Sequence, residues 1–167
     1  MANLATADHA AQGNSARGRS PYMVQNTIDI AAAIVLKGSD FAANDTMEVL
    51  NVPAGTVILS AGIEIMTQLD GTCTLDMGFT GASPAAVDVF VDGLDVVGGA
   101  VGAYGTTPAT ETAQVQVISS DDTIDVKFAT ETDVTSGKLR FWAILMDVSD
   151  MGAHDMIAAS ADRDYLA

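Results

Sequence analysis

Apolar and polar residues alternate with a period of two along most of the chain from Pro21 onward, the pattern of strands with one buried face. Tyr22, Val24, Ile28 and Ile30 alternate with Met23, Gln25, Thr27 and Asp29, predicting a first strand. Ala31 to Leu36 either extends it or forms a short second strand, and Lys37-Gly38-Ser39-Asp40 ends the segment. Thr46 to Val52 predicts the next strand, with a bulge where the alternation breaks near Asn51, ahead of the turn Pro53-Ala54-Gly55. Val57, Leu59, Ala61, Ile63 and Ile65 then share one face, opposite Ser60, Gly62, Glu64 and Gln68. After Leu69-Asp70-Gly71, the residues Cys73, Leu75, Met77 and Phe79 share a face opposite Thr72, Thr74 and Asp76.

These last two strands are expected to form a hairpin, and the pattern selects its turn. A two-residue Asp70-Gly71 loop pairs Ile65 with Asp76, and a one-residue slip of register moves every side chain to the wrong face. A three-residue Leu69-Asp70-Gly71 loop pairs Thr67 with Cys73, Ile65 with Leu75 and Ile63 with Met77. It also places Gly71 where a left-handed backbone is required. The hairpin reading therefore expects the longer loop.

Val87 to Val91 predicts a short strand, Asp92-Gly93 a turn, and the Gly-, Ala- and Thr-rich Val96 to Thr112 a long surface excursion. Val115 and Val117 pair with Val126 and Ile124 in a second expected hairpin closed by Ser119-Ser120-Asp121-Asp122. Lys138 to Val148 is the last strong strand and differs from the others. Leu139, Phe141, Ala143 and Leu145 form one apolar face, and Arg140, Trp142, Ile144, Met146 and Val148 form a second, largely apolar one. A sheet with one wet face alternates cleanly, so something is expected to cover this second face, from this chain or from a neighbouring subunit. Seven to nine strands with Gly and Pro punctuation specify an all-β, antiparallel β-sandwich, jelly-roll-like, with an extended N-terminal arm. The expected organisation is an arm over 1–20, a sandwich domain over 21–150 and a C-terminal extension over 151–167, with no internal repeat.

Composition narrows the setting. The chain has 167 residues, enough for one domain that buries roughly 70% of its unfolded surface. It is 49% hydrophobic and only 17% charged, where ordinary domains carry about 25% charge. Such a balance calls for extra burial. No run approaches the ~20 apolar residues of a spanning helix, and the strands are too few for an outer-membrane barrel, so burial between subunits is the expectation. With 22 acidic against 7 basic residues, the net charge of −15 repels nucleic acid. The N-terminus has no secretory pattern, and the single Cys73 reads as a small buried side chain in a protein made in a reducing cytosol.

No constellation for catalysis emerges. His9 and His154 lie in the terminal segments without ligand-spaced partners. Ser60, Ser83, Ser119 and Ser120 lack a nucleophile setting. Asp88, Asp92 and Asp95 do not match calcium-loop spacing, and Asp121, Asp122 and Asp125 fit turn roles. Gly98-Gly99-Ala100-Val101-Gly102 lacks the lysine of a phosphate loop and reads as a flexible loop. No catalytic residue, cofactor or metal is expected. The scarcity of aromatic residues (one Trp, three Tyr) argues against a sugar platform.

The order of segments resembles a known group. A strand into VPAGTVILSAGIEIMT, a TLDMG strand, a VDG loop, then SSDDTIDVKF and GKLRFWAILMDVSD are similar to small all-β virion proteins of tailed bacteriophages, most of all those that decorate or cement the head; the likeness spans about Asp45 to Asp150. The resemblance implies a non-enzymatic β-sandwich subunit, commonly trimeric, made in the host bacterial cytoplasm and bound through the major capsid protein to the outer surface of the head. Expected partners are that capsid protein and further copies of the chain, with no nucleic acid and no membrane. Expected contact residues are Arg17, Arg19, Tyr22, Arg140, Trp142, Ile144 and Met146, with the arm clamping onto a neighbour. The alternatives are a tail, neck or fibre component, or an acidic extracellular hydrolase or sugar-binding domain.

Overall fold

The computed structural model describes residues 21–79, 86–105 and 116–148. The predicted arm (1–20), the tail (151–167), Val115 and the remainder of the long excursion lie outside them. The described residues form nine strands and one helix: β1 (Tyr22–Asp29), α1 (Ile30–Lys37), β2 (Thr46–Val52), β3 (Thr56–Thr67), β4 (Thr72–Phe79), β5 (Ala86–Asp95), β6 (Tyr104–Gly105), β7 (Gln116–Val117), β8 (Asp122–Thr132) and β9 (Lys138–Asp147). All pairings are antiparallel. One sheet, A, has the order β1-β9-β3-β6 with β7 also on β3; the other, B, has the order β2-β8-β4-β5. This is the all-β sandwich expected. Strands β1 to β4 alternate between the sheets, β5 lies beside β4 in sheet B, and the chain then crosses again, in a jelly-roll order whose sixth position is split into β6 and β7.

That alternation overturns both expected hairpins. β3 pairs with β9 and β4 with β8, so Leu69-Asp70-Gly71 is a corner crossing from one sheet to the other rather than a hairpin turn. Gly71 does take the left-handed backbone, with φ +69°. The faces were right where the register was not: Cys73, Leu75, Met77 and Phe79 are all buried. A period-2 pattern fixes which side of a strand faces the core, and it is silent on which strand lies alongside. Likewise β7 pairs Val117 with Val57, while Ile124 and Val126 belong to sheet B, opposite Leu50 and Met47.

Three local readings also change. Ala31 to Leu36 is neither a strand extension nor a second strand but lies in helix α1. Asp29 caps its start, Oδ1 accepting from Ala32 N at 3.3 Å, and Gly38 at φ +80° closes it, donating from its N to Ile34 O at 2.8 Å. Consecutive alanines favour helix, and Asp and Gly flank them in capping positions. Asp92-Gly93 is not a turn: β5 runs through it as a bulge, and Gly93 N donates to Asp76 Oδ1 at 2.9 Å. In β3 a bulge at Leu59 breaks the predicted face, so Ile58 is fully buried and Leu59 is exposed. The predicted bulge of β2 exists, but at Val49 rather than Asn51.

The core lies between the sheets. Ile58, Ile63, Leu75, Phe79, Phe128 and Phe141 each expose essentially no surface. Phe41, just after α1, stacks on Phe128 at 4.3 Å between centroids, which ties the helix connection to sheet B.

Candidate assembly interface

β9 sits between β1 and β3 in sheet A, so its two faces differ in kind. Leu139, Phe141, Ala143 and Leu145 are completely buried in the core. Arg140, Trp142, Ile144 and Met146 project from the opposite side and are only half-buried. Four of the seven expected contact residues are therefore together on one outer face. Register supplies their neighbours: Thr27 and Glu64 flank Arg140, Gln25 and Gly62 flank Trp142, and Met23 and Ser60 flank Ile144. Tyr22 is not among them. It pairs with Leu145 and so projects from the other face of β1. Arg17 and Arg19 lie outside the described residues.

The covering element anticipated for this face is partly the chain itself. Residues 96–105 fold onto the edge of β3: Gly102 N donates to Ile65 O at 2.7 Å and Ile65 N to Ala103 O at 3.0 Å. The expected flexible glycines close a tight turn here, because a side chain on Gly98 would collide with the Asp95 carboxylate. β6 then brings Tyr104 opposite Glu64 and edge-on to Trp142, with ring centroids 6.2 Å apart and planes at 64°. Gly62, having no side chain, leaves the indole room beside β3. Arg140 Nη1 pairs with Glu64 Oε2 at 3.1 Å, and the Tyr104 hydroxyl, held above its ordinary pKa first by its hydrogen bond to Glu64, joins the same group. Sequence reasoning missed Tyr104 and Glu64. The only trace was a single acid on the polar positions of the longest strand.

Coverage is incomplete. Met23 is 56% and Tyr104 57% exposed, and Trp142 Nε1 is covered with no hydrogen-bond partner among the described residues. The face is an apolar surface centred on the single tryptophan, with one internally neutralised ion pair. Exposed apolar patches of this kind are the usual mark of an association surface.

The other candidates have structural occupations. Cys73 is 1% exposed, and burial, then the charges of Glu131 and Asp95, push its thiol up to about 12, so no thiolate is available. Asp95 Oδ1 accepts from Val97 N and Gly98 N, Asp121 from Ala54 N, and Asp122 from Thr123 N. These are the backbone-bonding roles for which turns select Asp. Among the described residues no three metal-ligating side chains converge, and no helix is long and apolar enough to cross a membrane. His9, Ser83 and His154 lie outside the described residues.

No protein-family model matches the sequence, and no curated protein matches it. Solved structures do. The fold is similar to a chain of the capsid of Ralstonia phage GP4, with a TM-score of 0.54 and 17% identity over 78% of this chain and 86% of that one. It is similar too to a chain of the cyanophage Pam1 capsid asymmetric unit, with a TM-score of 0.53 and 16% identity over 77% of this chain and 85% of that one. At these identities the likeness is one of fold.

Proposed function

We propose that this chain is a non-enzymatic structural subunit of a tailed-phage virion, a decoration or cement protein that binds the outer surface of the head and stabilises the capsid lattice. The observation that carries this reading is the outer face of sheet A, where Trp142, Ile144, Met146, Met23 and Tyr104 form an apolar surface on a chain of low charge content. The likeness of the fold to chains from two phage capsids supports the virion setting. On this reading the major capsid protein and further copies of the chain, in a trimer, cover that face. The Arg140–Glu64 pair, already neutralised within the subunit, goes into the interface without leaving an uncompensated charge.

The test is binding of purified chain to heads of the phage that carries it, with oligomeric state read by analytical ultracentrifugation. Trp142→Ala removes a central aromatic and is expected to weaken association at least about tenfold, the effect of losing about 1.4 kcal/mol, with the circular dichroism spectrum unchanged. A chain that stays monomeric and binds no heads overturns the proposal. Binding confined to the tail or neck of whole particles replaces it with the tail-component reading.

A further inference from the structure

β1 is the edge strand of sheet A and pairs with β9 alone among the described residues. The end of the strand shows which way its hydrogen-bonding groups turn. Ile30, the next step of the register after Asp29 and Lys138, donates its N–H to Gly137 O at 3.0 Å. In an antiparallel ladder, mutually bonded pairs alternate with pairs whose groups turn away. The even-numbered residues of β1 therefore bond to β9, and Met23, Gln25 and Thr27 turn their N–H and C=O groups to the open side. Nothing in the strand guards that side. Tyr22 to Ile28 holds no charged residue and no proline, and the register with β9 has no bulge, whereas edges are ordinarily blunted by such devices. β2, the neighbouring edge of sheet B, has two of them: Glu48, and a bulge at Val49, whose carbonyl already accepts from Asn26 Nδ2 at 3.1 Å.

The usable length of β1 is set at both ends. Pro21 has no N–H to give, and Asp29 caps α1, its carbonyl opening the helix ladder. Three residues remain, centred on Gln25. Two copies of such an edge complement each other. Antiparallel about a twofold axis at Gln25, Gln25 meets Gln25 and Met23 meets Thr27, each pair exchanging two hydrogen bonds. No like charges meet, which matters between chains of net charge −15. The same register sets Tyr22 of one copy opposite Ile28 of the other. Both side chains project from the inner face of β1, yet Tyr22 is exposed. Beside Ile28 lies an apolar groove of about 560 Å³ between β1, α1 and β2, lined in part by Ala32, Ala33, Leu36, Phe41 and Met47. A ring arriving on the inner face of a strand beside β1 meets this groove.

We propose that β1 of a second copy pairs with β1 in this antiparallel register, joining the two A sheets, and that Tyr22 of each copy seats in the groove of the other. The contact uses the edge of sheet A and leaves the Trp142 face open on both copies, so the inference is independent of the virion reading. Three residue pairs and two rings fall below the ~1,200 Å² of a stable interface, so the contact is reversible and depends on protein concentration.

The test is a disulfide trap in the full chain at high concentration. Residues facing each other in a bonded pair stand about 5.5 Å apart between Cα atoms, within disulfide reach. Gln25→Cys is expected to give a dimer-mass band under mild oxidation that reverts on reduction. Thr27→Cys, whose two copies stand more than about 13 Å apart in this register, is expected to give about fivefold less or lower still. The native Cys73 is buried and does not compete. Adding Tyr22→Ala to Gln25→Cys is expected to lower bridging about fivefold or more, since each dimer loses two seated rings. Adding Trp142→Ala instead is expected to leave bridging unchanged, which separates this contact from the sheet A face. Equal bridging at both positions, none with Gln25→Cys, or bridging lost with Trp142→Ala but not with Tyr22→Ala overturns the proposal. Hydrogen exchange of the native chain gives a second readout. The Met23, Gln25 and Thr27 amides are expected to gain about tenfold protection from dilute to concentrated protein, while those of Val24, Asn26 and Ile28 stay protected throughout. Gln25→Lys, which brings two like charges together on the axis, is expected to remove that dependence. Exchange at Met23, Gln25 and Thr27 that is free at every concentration overturns the proposal too.

Discussion

Asp70 joins two crossings between the sheets and offers a sharp test of how the fold is held. It sits in the β3–β4 corner, and its carboxylate reaches the loop between β8 and β9. Oδ1 accepts from Thr135 N at 2.7 Å and Ser136 N at 2.9 Å; Oδ2 accepts from Thr135 Oγ1 at 2.6 Å and Ser136 Oγ at 3.0 Å. Hydrogen bonds to a charged acceptor are worth about 1.5–3 kcal/mol each. Thr135 and Ser136 are exposed, however, so water replaces much of what a variant loses. A net cost of about 2 kcal/mol for Asp70→Asn is expected, or about 4–8 °C in Tm for a chain of this length. These donors, the Thr135 hydroxyl first, hold the Asp70 carboxyl well below the usual carboxylate range. A depressed folded-state pKa gives stability that is present above the unfolded value near 3.9 and lost as pH falls towards the folded one. Urea midpoints of the wild type and Asp70→Asn should therefore differ at pH 7 and converge as pH drops from about 4 to 2. A gap that persists undiminished at pH 2, or is absent at pH 7, refutes the reasoning.

Two glycines with similar backbones separate strain from collision. Gly93→Ala meets open space at φ +64° and is expected to cost about 1 kcal/mol from the left-handed backbone alone. Gly71→Ala at φ +69° drives a methyl into the Thr132 carbonyl oxygen and should cost about 3 kcal/mol; equal losses in thermal or urea unfolding would show that the corner is not tightly packed. Cys73 should react with a thiol reagent only at the rate of unfolding, and rapid stoichiometric labelling of the native chain would contradict its burial.

What could be read from the sequence follows from what periodicity encodes. Both faces of β9 and the buried row Cys73 to Phe79 were legible, since alternation reports burial directly. Partnership was not. The hairpin register derived for Ile63–Met77 is internally consistent, with apolar residue opposite apolar residue, yet both strands have other partners. In a jelly roll the inward faces of strands in opposite sheets carry the same pattern, so a false hairpin and a true crossing satisfy it equally. Helix α1 was missed because an alanine run has no polar face to set a period, although Asp29 and Gly38 flank it in cap positions. At the candidate interface, the β9 residues were legible as an unexplained second apolar face. Tyr104 was not, because its two-residue strand is too short to show any alternation.

The two outer faces of the sandwich are unlike, and the difference bears on how copies meet. On sheet B, Glu48 stands opposite Asp125 and then Gly78, while Lys127 lies between Thr46 and Asp76. Asp125 and Asp76 are buried, where they accept from Thr123 Oγ1 and Gly93 N, so the exposed charges of this group are Glu48 and Lys127. On sheet A the corresponding positions hold Trp142, Ile144 and Met23, and the Arg140–Glu64 pair is neutral within itself. For a chain of net charge −15, contacts through the sheet A face would bury apolar area with little charge to desolvate. The association proposed through the sheet A face rests on apolar burial and is expected to respond little to ionic strength; sedimentation across a salt series checks this, and dissociation as screening changes would contradict it.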